Sequence, residues 1–174
     1  METAVKTKWR LDTAHSEIGF KVKHMMISTV SGHFDDFKAT VVAESNDFKN
    51  AKFDFTAAVA SINTKNADRD NHLRSDDFFN AGAYPEMTFT STSFDGERMV
   101  GDLAIRDITK SIVLDVDFNG IAVDPYGQTK AGFEISGSIN RKDFGLAWSA
   151  VTEAGSVVVA ERVKLVVDLQ FVQQ

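Results

Sequence analysis

The chain contains no cysteine, so disulfide staples and thiolate metal sites are excluded and the redox compartment is left open. Proline is scarce, with two in 174 residues, which leaves few obligatory breaks in regular structure. No stretch approaches the ~18 consecutive apolar residues that a membrane-spanning helix requires. Basic side chains are the minority, 19 against 25 acidic ones, for a formal charge of −6. A nucleic-acid surface needs a basic stripe to displace counterions from phosphates, and that function class is set aside. The opening "METAVKTKWRLD" has no apolar run after its charges and is not a signal peptide. The expectation is a soluble, cytoplasmic protein, or a periplasmic or secreted one whose leader has been removed. The length suits a single domain over residues 1–174 with a sizeable core.

What is abundant is phenylalanine, valine and threonine, the residues of pleated sheets. Side chains alternate across a strand, so residues two apart share a face. In "HSEIGFKVKH" Ile18, Phe20 and Val22 share one face, against Glu17, Gly19, Lys21 and Lys23. Phe53 and Phe55 fall in phase with Ala57 and Val59, and Met87 with Phe89. Met99, Leu103 and Ile105 align, as do Ile112, Leu114, Val116 and Phe118. Phe133, Ile135 and Ile139 follow, and Val163 through Phe171 close the series. One apolar and one polar face per strand marks an antiparallel sheet solvated on one side. Asp95-Gly96 and "DPYG" at Asp124–Gly127 are tight-turn signals. The reading is all-β: roughly eight antiparallel strands in an up-and-down barrel or a sandwich. An eight-stranded barrel is wide enough for one slender ligand.

One segment breaks this rhythm. "NTKNADRDNHLRSDDFFNAGAYP", about residues 63 to 84, is rich in helix-compatible residues, with Asp70 and Arg74 four apart in the favourable order. Its first half is polar all round, and Phe78, Phe79 and Tyr84 then follow closely. Two readings stand: a lid or plug at a barrel end, or a surface crossover that packs two phenylalanines into the core.

Four blocks together resemble the YceI-like family of polyisoprenoid-binding proteins: "WRLDTAHSEIGFKVKHMMISTVSGHF", "NADRDNHLRSDDFFNAGAYPEMTFTSTSF", "VGDLAIRDITK" and "INRKDFGL". The resemblance runs from about Trp9 to the C-terminal strand. It implies an eight-stranded antiparallel lipocalin-like barrel whose apolar channel holds a polyisoprenoid lipid, such as a polyprenyl compound or an isoprenoid quinone, to sequester or transport it. It also implies a possible homodimer, with no cofactor. Asp107 stands where the family usually has glycine, so a left-handed turn residue is expected there.

On that implication, the wall candidates are Ile18, Phe20, Val22, Phe55, Phe78, Phe79, Met87, Phe89, Leu103, Leu114, Phe133, Phe144 and Trp148. Any of them could equally be plain core. His24 continues the apolar face of Val22, where an imidazole either meets a ligand headgroup or braces the barrel end. Ser28 assists if "MMIS" curls helically, and Arg74 is the insert's best fork for an anionic headgroup. His15, beside Ser16, reads as a structural hydrogen-bonding group.

The alternative is a metal-dependent or hydrolytic enzyme using His15, His24 and nearby aspartates. The four histidines, His15, His24, His33 and His72, show no His-x-His or i,i+4 spacing. No Gly-x-Ser-x-Gly elbow, Gly-Lys-Ser loop or Gly-x-Gly-x-x-Gly turn occurs. The expectation is therefore a non-catalytic protein without a metal site.

Overall fold

Alternation translates into burial along each strand of the computed structural model, which describes residues 6–146, 148 and 159–174. In β10 (Thr129–Asn140), for example, Phe133, Ile135 and Ile139 are buried while Glu134, Ser138 and Asn140 are exposed. The other strands are β1 (Thr7–Leu11), β2 (Glu17–His24), β3 (Ser28–Phe34), β4 (Phe37–Ala43), β5 (Lys52–Ala58), β6 (Ile62–Asn63), β7 (Glu86–Phe94), β8 (Arg98–Ile105), β9 (Ile108–Val123) and β11 (Val159–Gln173). A single α-helix among the described residues, α1 (Ala67–Arg74), follows β6.

Eight strands close a fully antiparallel barrel in the order β1-β4-β5-β7-β8-β9-β10-β11, sealed by pairing of β1 with β11. Of the barrel and the sandwich that the strand pattern left open, the chain forms the barrel, the lipocalin-like one that the resemblance implied. Two features extend it. The last residues of β11 pair with β1, while its longer first part, from Val159 to Asp168, pairs with β2. β1 and β2 thus follow one path beside β11, interrupted by a 3-10 turn at Thr13–His15. In the same way β3 pairs with β2 and β4 with β1, so the path breaks again at Asp35–Asp36. The β2–β3 hairpin and the short β6 stand above the closed ring and lengthen the barrel at one end.

The lower half is solid. Phe133 is the hub of a ring cluster, with centroids 5.1 Å from Phe48, 5.5 Å from Phe53, 5.0 Å from Phe118 and 5.8 Å from Phe171. Phe48 comes from the loop between β4 and β5, at a φ of 61°, and also meets Trp9 at 5.1 Å. This aromatic floor closes the barrel from below.

The insert is less helical than its composition predicts. Only α1 is helix; from Ser75 the chain turns repeatedly up to β7. Asp70 and Arg74 do not pair. Asp70 is buried and accepts from the Thr64 amide at 2.9 Å and the Thr64 hydroxyl at 2.5 Å. Arg74 turns away, donating to the carbonyls of Ala60 and Ile62 and to Asn71 Oδ1. Likewise the left-handed residue between β8 and β9 is Arg106, at φ 56°, and not Asp107.

Candidate ligand cavity

Above the floor the barrel is hollow. A cavity of about 180 Å³ is lined by inward faces of β2, β5, β7, β8, β9, β10 and β11, together with Phe34 of β3 and Leu73, Phe78 and Phe79 of the insert. Ile18, Phe20, Val22, Phe55, Met87, Phe89, Leu103 and Leu114 all stand on this wall, as do Phe78 and Phe79. Alternation explains their common side, since a barrel has only one inside.

Glycines make room for the larger wall groups. A Cβ at Gly32 would collide with the Phe20 ring, so glycine there lets the ring approach the β3 backbone closely. A Cβ at Gly137 would stand 2.6 Å from Leu114 Cδ2.

Six other candidates lie off the wall. Phe133 is part of the floor, and Phe144 is buried in the 3-10 turn Arg141–Phe144 that follows β10. Trp148 packs outside the cavity against Phe78 (5.5 Å) and His72 (5.0 Å). Arg74 is spent on the insert's own backbone. "MMIS" does not curl helically: residues 25–27 form a hairpin tip, and Ser28 pairs opposite His24 with an exposed side chain. His24 does follow Val22 in phase, but it lies beyond the wall at the rim, half-buried, paired through its backbone with Val159. Among the described residues its ring has no hydrogen-bond partner.

The residue missed by the strand reading is Arg141. It is 3% exposed and is the one charged side chain on the wall among the described residues. Its Nη1 donates to the carbonyls of Leu146 and Trp148, both at 2.6 Å, its Nε to Ala160 at 2.9 Å and its Nη2 to Val159 at 3.2 Å. It ties the end of β10 to the start of β11 without a carboxylate bound to it among those residues. Burial pushes its pKa below the usual guanidinium value, opposed by the nearby Glu161. A signal was available: Arg141 continues the phase of Phe133, Ile135 and Ile139, as His24 continues that of Val22.

Neighbouring contacts gather the insert onto this upper end. Arg106, in the β8–β9 turn, donates to the carbonyls of Phe78 (3.2 Å) and Gly145 (3.0 Å). His72 Nε2 and Asp77 Oδ2 form a hydrogen bond at 2.9 Å, a contact within the insert other than the helical pair expected. His15 is exposed and bonds Asp12 at 2.9 Å, the structural role read for it. His15 precedes β2 and His24 is its last residue, so the extended eight-residue strand, which spans roughly 23 Å, separates them. They share no site. Among the described residues, no three His, Asp or Glu side chains cluster as a metal ion would require.

These features define a class: an antiparallel barrel, floored by aromatic rings, with an apolar cavity in its upper half. The chain belongs to the YceI-like domain family, whose match spans residues 9–171. A UPF0312 protein of Staphylococcus aureus is 39% identical over 166 residues, 95% of this chain and 97% of that protein. The YceI protein of Campylobacter jejuni is 39% identical, with a TM-score of 0.73 over 100% of this chain and 99% of that one. BcnA of Burkholderia cenocepacia superposes with a TM-score of 0.78 at 21% identity, covering 92% and 98% of the two chains. A polyisoprenoid-binding domain of Saccharophagus degradans, implicated in plant cell wall breakdown, superposes at 0.70 with 15% identity over 95% and 98%. At such identities the last two speak for the fold alone.

Proposed function

We propose that this protein is a non-catalytic carrier that holds the tail of an isoprenoid lipid, a polyprenyl compound or an isoprenoid quinone, in the upper cavity. The supporting observation is the wall: aliphatic and aromatic side chains predominate, with Thr56, Thr88 and the Arg141 guanidinium the polar ones among the described residues. Burying hydrocarbon contributes ~0.8 kcal/mol per methylene, and ordering a flexible tail opposes part of it. At about 180 Å³ the resting cavity is comparable to engineered cavities of ~150 Å³ that admit benzene. A long tail therefore displaces wall side chains, and the flexible Met87 thioether is suited to yielding. The positive potential of Arg141 favours a headgroup rich in carbonyl or phosphate oxygen near it.

The test is uptake by solvent-extracted protein of a short-tailed isoprenoid quinone, read by tryptophan quenching and by native mass spectrometry. One equivalent is expected to bind. Ala57→Phe, which places a ring in the cavity beside Met87, is expected to abolish uptake at a cost of ~1–3 kcal/mol of stability. Quenching that survives Ala57→Phe unchanged, or extracted protein that takes up nothing, sinks the reading.

A further inference from the structure

The β2–β3 hairpin ends in three consecutive apolar side chains that contribute nothing to the core. Met25, Met26 and Ile27 are 36%, 64% and 81% exposed. Met25 and Met26 hold left-handed φ angles of 52° and 58°, an unfavourable conformation for unbranched side chains as for any non-glycine residue. The tip stands directly above the cavity: the strands that carry it bring Val22 to the wall and pair His24 with Val159, also on the wall.

Beneath the tip, the outward face is basic. Lys21 and Lys23 project from β2, Arg162 and Lys164 from β11, and Lys21 pairs in register with Lys164. Lys23 donates to Thr29 Oγ1 and Arg162 to Ser138 Oγ. Among the described residues none of the four meets a carboxylate, while neighbouring Lys142 is neutralised by Glu161 at 3.0 Å. Further from the tip the same face turns acidic, with Glu17 opposite Asp168, Asp168 opposite Glu134 and Glu134 opposite Asp117. Four of the nineteen basic residues of a chain of net charge −6 thus stand together beside the apolar tip.

We infer that the Met25–Ile27 tip and its basic collar dock on an anionic lipid bilayer. Apolar side chains enter the headgroup boundary while lysine and arginine stay at the level of the phosphates. Segregated charge orients the molecule with its cavity end toward the negative surface. The purpose, exchange of cargo with that bilayer, rests on the carrier reading; the docking itself does not.

The experiment is flotation of the full chain with vesicles of phosphatidylcholine containing a third phosphatidylglycerol, free of isoprenoid, at low salt. Binding to these vesicles and little binding to pure phosphatidylcholine are expected. Lys21→Gln with Lys23→Gln is expected to weaken partitioning about thirtyfold, since each cation near such a surface is worth roughly fivefold. Ile27→Asp is expected to lose binding with an unchanged thermal midpoint. Wild-type protein that ignores anionic vesicles, or Ile27→Asp that binds as wild type does, overturns the inference. So does a dimer that Ile27→Asp dissociates while the vesicles stay bare, which would assign the tip to a second copy. Vesicle binding by protein that takes up no quinone leaves the docking standing and removes the carrier reading alone.

Discussion

Arg141 and His24 show how a single residue can depart from the pattern around it with different consequences. Both continue an apolar register by one step, but β2 has reached the rim at His24, whereas Arg141 remains inside. A buried guanidinium is retained because its N–H groups are matched, here by four carbonyls. Replacing it with methionine preserves volume and strands those acceptors, so Arg141→Met is expected to cost ~2–4 kcal/mol in urea unfolding. Arg141→Lys recovers only part, having three donors at one point instead of a planar fork. Asp12 offers a pH-dependent counterpart. Its contact with Lys130 at 2.5 Å, aided by His15, holds its carboxyl at about 2. The folded value lies below the unfolded one, so the stabilisation is complete above about pH 4 and disappears as pH falls toward 2. With solvent screening this is worth about 1 kcal/mol. Asp12→Asn is expected to lose that amount at neutral pH and to show a flatter acid limb in melts taken through that window.

At the scale of elements, the inside of each strand was legible and its height was not. Phe133 and Phe89 obey the same alternation, yet one is floor and the other wall. Depth depends on stagger between strands, which pairing sets and a period of two cannot encode. The breaks at Thr13–His15 and Asp35–Asp36 were hidden for a similar reason, because each half alternates correctly by itself. The insert misled differently. Asp70 and Arg74 carry ideal helix-pair spacing, but a carboxylate near the Thr64 amide and hydroxyl gains more from two buried hydrogen bonds than from an exposed ion pair. α1 is thus held by its Asn66 cap, bonded to the Arg69 amide at 3.0 Å, and by Asp70 as an anchor to the chain before it. Asp70→Ala is expected to cost ~1–3 kcal/mol. Hydrogen exchange should show the loss first in residues 64–79, with β9 and β10 protected as before. Uniform deprotection would mean that the insert is not a separable unit.

Across the whole molecule, a barrel with one solid half and one hollow half divides the work of folding and binding between its two ends. The floor is where rings interlock, so truncating its hub leaves a void that four neighbouring phenylalanines cannot fill. Phe133→Ala is expected to cost ~3–5 kcal/mol. Leu103 is also buried, but one side of it already faces the cavity and has fewer atoms to lose contact with. Leu103→Ala is expected at the low end of the leucine range, about 2 kcal/mol, and it enlarges a space that a ligand can occupy. The pair therefore separates two quantities that usually change together. Urea unfolding of the empty proteins should rank Phe133→Ala well below Leu103→Ala. Saturating isoprenoid quinone should then raise the midpoint of Leu103→Ala at least as much as that of wild type, because a ligand that binds only the folded state stabilises it in proportion to its affinity. Equal losses in the two variants, with no ligand-dependent recovery in either, would mean that the upper half is packed in solution and that the barrel has no hollow end to fill.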